Sequence, residues 1–428
     1  MTPEIKHRIE QIRHGNVPDG YKKTKAGILP ADWDVYMLGD CLSRVERPVE
    51  VEVKPNELYT QIGIRSHGKG LFYKEPVTGA ALGNKAVFWI EPDCFIVNIV
   101  FAWEQAIGKT KQSEVGMIGS HRFPMYRPVN DRIDVDYLIS YFLTKRGTDI
   151  LEAASPGGAG RNKTLGQDRF LKSKIILPPI EEQRKIAAIL TTQDKVIELK
   201  EKRLAEKQRQ KKYLMQQLLT GKKRLPGFSE EWKIKPLKKL TEKQKKKNHG
   251  FQYRLVLSNS AQHGIVSQDQ EFDKEIANEE RIDGYYVVIP GAFVYNPRIS
   301  VTAPCGPINV NETGETGIMS PLYTVFTISS PQISQDFLKY YFQSSCWYKY
   351  VKGVANYGAR HDRISISDGD FFDMPIPLPT KEEQNYIAKA LSAADREIEL
   401  LQQDIEQEKQ KKKALMQLLL TGIARVKT

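Results

Sequence analysis

The chain has 428 residues, too many for one ordinary domain and enough for two or three. Lys and Arg number 64 against 52 Asp and Glu, so the net charge is 64 − 52 = +12, and 40% of the residues are hydrophobic. That balance excludes wholesale disorder and favours an anionic partner. The longest apolar stretches, such as CFIVNIVFAW at 94–103, fall far short of the ~20 residues a membrane helix needs. The charged start MTPEIKHRIEQIR predicts no signal peptide. Cys41, Cys94, Cys305 and Cys346 are scattered, which argues against a zinc ribbon or a disulfide scaffold and fits a reducing cytoplasm.

In chain order, a short N-terminal segment (1–21) precedes a module at 22–177. Its β-rich runs AVFWI and CFIVNIVF are followed by a helix with Tyr137, Leu138, Tyr141 and Phe142 on one stripe. A long helix is expected over 178–224, opening after Pro178-Pro179 with acidic residues in its first turn and closing at Gly221. A second module at 225–378 holds GYYVVIPGAFVYN and LYTVFTI, then a helix with Phe337, Leu338, Tyr341 and Phe342. A second long helix fills 379–428. Both aromatic stripes have core spacing.

These parts are one unit written twice. At an offset of 201, LPPIEEQ…LMQQLLTG matches LPTKEEQ…LMQLLLTG, with 21 of the 45 positions from 177 to 221 identical to their counterparts. FIVN at 95–98 echoes FVYN at 293–296, GGAGRNKTL resembles GARHDRI, and ILPADW at 28–33 matches RLPGFSEEW at 224–232. IRHGNVPDGY at 12–21 resembles LLTGKKRLPGF, the stretch that closes the first long helix and leaves it, so the N-terminus reads as the continuation of the C-terminus.

Leu190, Ile197, Leu204, Lys211 and Leu218 lie seven apart, as do Leu391, Ile398, Ile405, Lys412 and Leu419. Such heptads specify a coiled coil, and Leu190, Ile197, Leu204, Leu218, Leu391, Ile398, Ile405 and Leu419 are its expected interface. A helix of ~39 residues spans about 58 Å. The first delivers the chain into the second module, and the second has no third module to enter. The pair is therefore expected to run antiparallel. The fold class is α+β: two similar globular domains joined by two long antiparallel coiled-coil helices in a pseudo-twofold, circular arrangement.

No catalytic centre is legible. GKT at 108–110 lacks the glycine a phosphate loop needs, since Trp103 stands there, and GGAG at 157–160 has no strand–helix context. Asn296-Pro297-Arg298 departs from a methyltransferase motif at Arg298. Pro92-Asp93 with Glu104 lacks the lysine of a nuclease, Ala106 being in its place. Residues 200–247 carry dense positive charge, including Lys222-Lys223-Arg224 and Lys245-Lys246-Lys247. This run reads either as a solvated helix face or as a phosphate-binding surface.

Sharper candidates lie in the glycine loops: Arg161, Asn162 and Lys163 in SPGGAGRNK, and Arg360, His361 and Arg363 in NYGARHDR. Arg pairs with guanine and Asn with adenine through two bonds each. Arg65, His67 and Lys69 in the first module, with Asn259, Gln262, His263 and Arg298 in the second, complete the expected DNA-binding set.

From GYKKTKAGILPADW through both EEQ-to-LLTG helices, the chain resembles the specificity subunit of type I restriction–modification systems. The resemblance implies a non-catalytic, cytoplasmic subunit whose two target recognition domains each read one half of a bipartite, asymmetric site on double-stranded DNA. The helix pair would set the spacer and dock two methylation subunits. It implies no cofactor on this chain, with S-adenosylmethionine, ATP and Mg²⁺ belonging to partner subunits. Whether motor–nuclease (restriction) subunits join is left open. Gln193, Lys200 and Lys207 sit at companion heptad positions where the second helix has Ala394, Leu401 and Glu408, and are expected to weaken the pair or face a partner. An unrecognised enzyme and a coiled-coil scaffold are the competing readings.

Overall fold

The computed structural model describes residues 2–25, 27–45, 54–83, 86–157, 163–268, 279–356 and 362–426. The chain divides into two compact units, Met1–Lys200 with Asp404–Thr428, and Glu201–Gln403.

In the first unit a four-stranded antiparallel sheet has the order Ile107–Lys109, Phe95–Val97, Met125–Pro128, Leu42–Arg44. The second unit repeats it as Ile308–Val310, Phe293–Tyr295, Thr324–Ile328, Thr241–Lys243. A helix packs beside each sheet, Val135–Phe142 in one unit and Gln335–Gln343 in the other. Each helix starts at a side chain that accepts a free backbone N–H: Asp134 from Tyr137, and Ser334 from Phe337. Both aromatic stripes are buried, as their spacing predicts. Ring stacking continues the core, Phe95 on Phe170 at 5.9 Å and Phe293 on Phe326 at 5.3 Å.

A two-stranded ribbon then leads into each long helix: Asp34–Met37 with Lys174–Leu177, and Lys233–Pro236 with Pro375–Leu378. The long helices run Ile180–Leu219 and Lys381–Leu419. Within the first unit Asp194 pairs with Lys412 (2.5 Å) and Lys200 with Asp404 (2.8 Å), so residue numbers fall on one helix as they rise on the other. Within the second unit Lys207 pairs with Glu397 (2.8 Å) and Lys211 with Asp395. The helices are antiparallel in both.

The heptad residues Leu190, Ile197, Leu218, Leu391, Ile405 and Leu419 are buried, whereas Leu204 and Ile398 are half-buried. The polar companions correct one expectation. Gln193 is buried and donates to Glu408 Oε2 (2.6 Å), and Lys200 reaches the same carboxylate (2.9 Å). These residues join the helices to each other and do not face outward. Their hydrogen bonds, Lys200's first, hold the Glu408 carboxyl down to about 2.

The chain's two ends meet in the first unit. Arg8 donates to the carbonyl of Ile423 (2.6 Å) and the Tyr21 hydroxyl to that of Gly422 (2.6 Å). Gly422 has φ +73°, and a Cβ there would lie 2.6 Å from Pro30 Cγ, so the turn closing the second helix needs glycine.

Candidate nucleic-acid interface

The EEQ motifs prove to be the joints on which each unit is assembled. Glu182 has no exposed surface; it accepts from the Trp33 indole (3.1 Å) and from Arg425 Nε (2.8 Å) and Nη2 (2.9 Å). In the second unit Glu383 accepts from Trp232 (2.9 Å) and from Arg224 Nε (2.7 Å) and Nη2 (2.8 Å). The next residue is a second joint. The Gln183 amide donates to the carbonyls of Arg132 and Pro178 (both 2.9 Å) and accepts from Asp134 N–H (3.0 Å). Gln384 does the same with Gln332 (2.8 Å), Pro379 (3.0 Å) and Ser334 (2.7 Å). Buried polar groups persist only when bonded in this way. Sequence reasoning took the glutamates only as dipole partners, although identical polar residues at both copies were the available signal.

These joints correct the reading of the basic run at 200–247. Arg224 is the ion-pair partner of Glu383, Lys200, Lys207 and Lys211 pair across the helices, and Lys243 pairs with Asp368 (2.5 Å). Lys222, Lys223 and Lys245 to Lys247 remain exposed.

In the first unit the candidates lie on a hairpin turn between Ile62–Ile64 and Leu71–Tyr73. Arg65, His67 and Lys69 are all exposed there. Arg65 N–H donates to Gly70 (3.0 Å), and its guanidinium lies over the Phe72 ring at 5.1 Å. His67 has φ +59°, and its N–H bonds the carbonyl of Glu104 (2.7 Å), docking the turn on the loop after Phe95–Val97. Lys163 reaches the same loop, lying over the Trp103 ring at 5.2 Å while paired with Glu152 (3.1 Å). The hairpin, the loop at 98–105 and Lys163 therefore converge. Arg161 and Asn162 lie outside the described residues.

The second unit brings the equivalent three segments together. Gln262 and His263 are exposed at the turn between Leu257–Ser260 and Gly264–Ser267. The loop at 296–306 is tied to the segment beginning at Asp362, through Ile299 N–H to Asp362 and Ile364 N–H to Pro297 (both 3.0 Å). Arg298 and Arg363 thus flank one carboxylate, with Nε 4.0 and 3.7 Å from Asp362 Oδ2. Arg360 and His361 lie outside the described residues. A polar cleft of about 380 Å³ opens between hairpin and loop, lined by Ser258, Ser260, Asn296, Arg298 and Ser300.

Asn259 is a correction. It is only 3% exposed; its amide donates to Val294 (2.7 Å) and Pro307 (3.3 Å), and its oxygen accepts from Asn309 (2.7 Å). It positions the hairpin and presents nothing to a base. The strand's alternation explains this, because Leu257 and Asn259 point inward together.

Both sites supply hydrogen-bond donors and positive charge on converging loops, suited to phosphates and base edges. Burial raises the thiols of Cys41 (to about 11), Cys94, Cys305 and Cys346, the opposite of an activated nucleophile. Among the described residues no group of three or more His, Cys, Asp or Glu could hold a metal, and no helix is long and apolar enough to cross a membrane.

The sequence profile of the type I restriction modification DNA specificity domain matches residues 85–208 and 229–410. The chain is 24% identical over 433 residues to the type I restriction enzyme MjaVIII specificity subunit of Methanocaldococcus jannaschii, covering 96% of this chain and 97% of that protein. It is similar in fold to the HsdS subunit from Thermoanaerobacter tengcongensis (TM-score 0.52, 19% identity, covering 92% of this chain and 98% of that one). A chain from a structure of complex assembly in the type I R-M system gives a TM-score of 0.58 at 19% identity, covering 92% and 99%. With two matching domains on a repeated framework, the chain belongs to the type I restriction modification DNA specificity family, as a specificity subunit.

Proposed function

We propose that each unit reads one half of a bipartite DNA target, and that the two halves differ in sequence. The observation that carries this is a constant framework with unlike tips. Sheet order, Trp–Glu–Arg joint and glutamine bracket recur in both units. The exposed hairpin turn, however, offers Arg65, His67 and Lys69 in one and Gln262 and His263 in the other. Recognition of double-stranded DNA by such loops combines sequence-independent phosphate contacts with base-edge contacts that specify.

The helix pair acts as a ruler for the spacer and as the dock for two methylation subunits. Leu199 and Leu400 support the second role: they stand at matching positions of the repeat, one in each unit, and are 65% and 58% exposed. Exposed apolar side chains on these helices, Tyr213 and Tyr386 among them, suit a partner surface. S-adenosylmethionine, ATP and Mg²⁺ chemistry belongs to partner subunits in the cytoplasm, and this chain contributes recognition alone. Removing one heptad from both long helices tests the ruler in the assembled methyltransferase. The methylated motif should keep both halves and lose spacer length; an unchanged spacer would refute it.

A further inference from the structure

The loop after Phe293–Tyr295 holds an apolar side chain out in water on a fixed support. Asn296 Oδ1 accepts from Arg298 N–H (3.0 Å), Ser300 N–H donates to Ala303 (3.1 Å), and Ala303 N–H returns to Ser300 Oγ (3.1 Å). Ile299 and Ile364 tie the loop to its neighbouring segment through their backbone N–H groups. Gly306, at φ +79°, lets the loop close, since a Cβ there would stand 2.1 Å from the Asn296 carbonyl oxygen. At the tip Val301 is fully exposed. It buries nothing in the folded chain, so the fold gives no reason for it.

The first unit shares the asparagine anchor. Asn98 Oδ1 accepts from Val100 N–H (3.1 Å), and Asn98 N–H donates to Ala106 (2.9 Å) as Asn296 N–H does to Pro307 (3.0 Å). There the exposed tip residue is Phe101. A shared asparagine anchor beneath loops of unlike length and unlike exposed apolar residues marks an element that reads something different in each unit. In the major groove the apolar feature within reach of a side chain is the thymine 5-methyl group. A β-branched valine, stiff at χ1, meets it with little loss of freedom. Arg298, exposed three residues earlier, supplies a donor for a neighbouring guanine or phosphate.

We propose that Val301 reads a thymine methyl group in the half-site of the second unit, an inference that rests on the DNA-recognition reading. The test uses the chain assembled with its methylation subunits and duplexes carrying its methylated motif. Each thymine of that half-site is replaced in turn by uracil, which removes only the methyl. At one position wild-type binding should weaken about fourfold, the equivalent of ~0.8 kcal/mol for one buried methyl group. Val301→Ala should bind the thymine duplex more weakly and be insensitive to that one replacement, with the first half-site unaffected. A half-site with no thymine on either strand, a scan in which no methyl matters, equal uracil sensitivity in V301A, or uniform weakening of V301A on every sequence would overturn it. Failure of the underlying reading looks different: the motif would not outcompete a scrambled duplex at any salt concentration.

Discussion

Arg425→Ala should destabilise the first unit, and adding Glu182→Gln to it should bring no further loss. The Glu182 carboxylate is fully buried and takes two of its donors from Arg425, whose own side chain is 31% exposed. Removing one partner of a buried pair costs about 3–5 kcal/mol; with water able to enter where Arg425 stood, the lower end, about 3 kcal/mol, applies. Glu182→Gln alone keeps an acceptor for the Trp33 indole and should cost about 1–2 kcal/mol. Because the harm in Arg425→Ala is a stranded charge, the double variant should lose about 2–3 kcal/mol, not the sum, a coupling of roughly 2 kcal/mol. Differential scanning calorimetry on the full chain would show the Arg425→Ala transition lowered by about 6–12 °C for a unit of this size. Effects that add to within about 0.5 kcal/mol would refute the claim that these groups form one joint.

Three further outcomes are expected at single sites. Tyr137 is buried with a hydroxyl that finds no hydrogen-bond partner among the described residues, while Phe337 fills the matching place in the second unit. Tyr137→Phe should therefore raise stability by about 1 kcal/mol in urea titration, and a loss of that size would contradict it. The Glu408 carboxyl, held down to about 2 by Lys200 and Gln193, is depressed below its ordinary 4.5. Its contribution is present above 4.5 and is lost as pH falls from there toward 2, so wild type should lose more stability than Glu408→Gln between pH 6 and pH 3; parallel profiles would count against the interhelical bond. Asn259→Ala, which removes the donor to the Val294 and Pro307 carbonyls and the acceptor of one Asn309 amide hydrogen bond, should cost about 1–2 kcal/mol and blur only the second half-site.

What could be read in the sequence was what repeats with a period. The duplication, the heptads and the aromatic stripes each bury one face, and their spacing alone reveals that. The joints could not be read this way, because Trp33, Glu182 and Arg425 meet from three separate stretches of chain. Gln193 and Lys200 looked unpartnered until the antiparallel register set Glu408 against both. Asn259 looked like a base reader because it is polar beside a turn, yet it shares the inward parity of Leu257. The convergence of Arg298 with Arg363 depends on backbone bonds between loops about 65 residues apart, which no local pattern encodes.

The central claim is that two unlike units read two separate half-sites. Methylome sequencing of cells carrying the methylation subunits with the wild-type chain, Arg65→Ala or Arg298→Ala tests it most directly. Wild type should methylate a two-part motif with an unspecified gap, Arg65→Ala should loosen one part only, and Arg298→Ala the other. A continuous motif, or two variants that degrade the same part, would contradict the account.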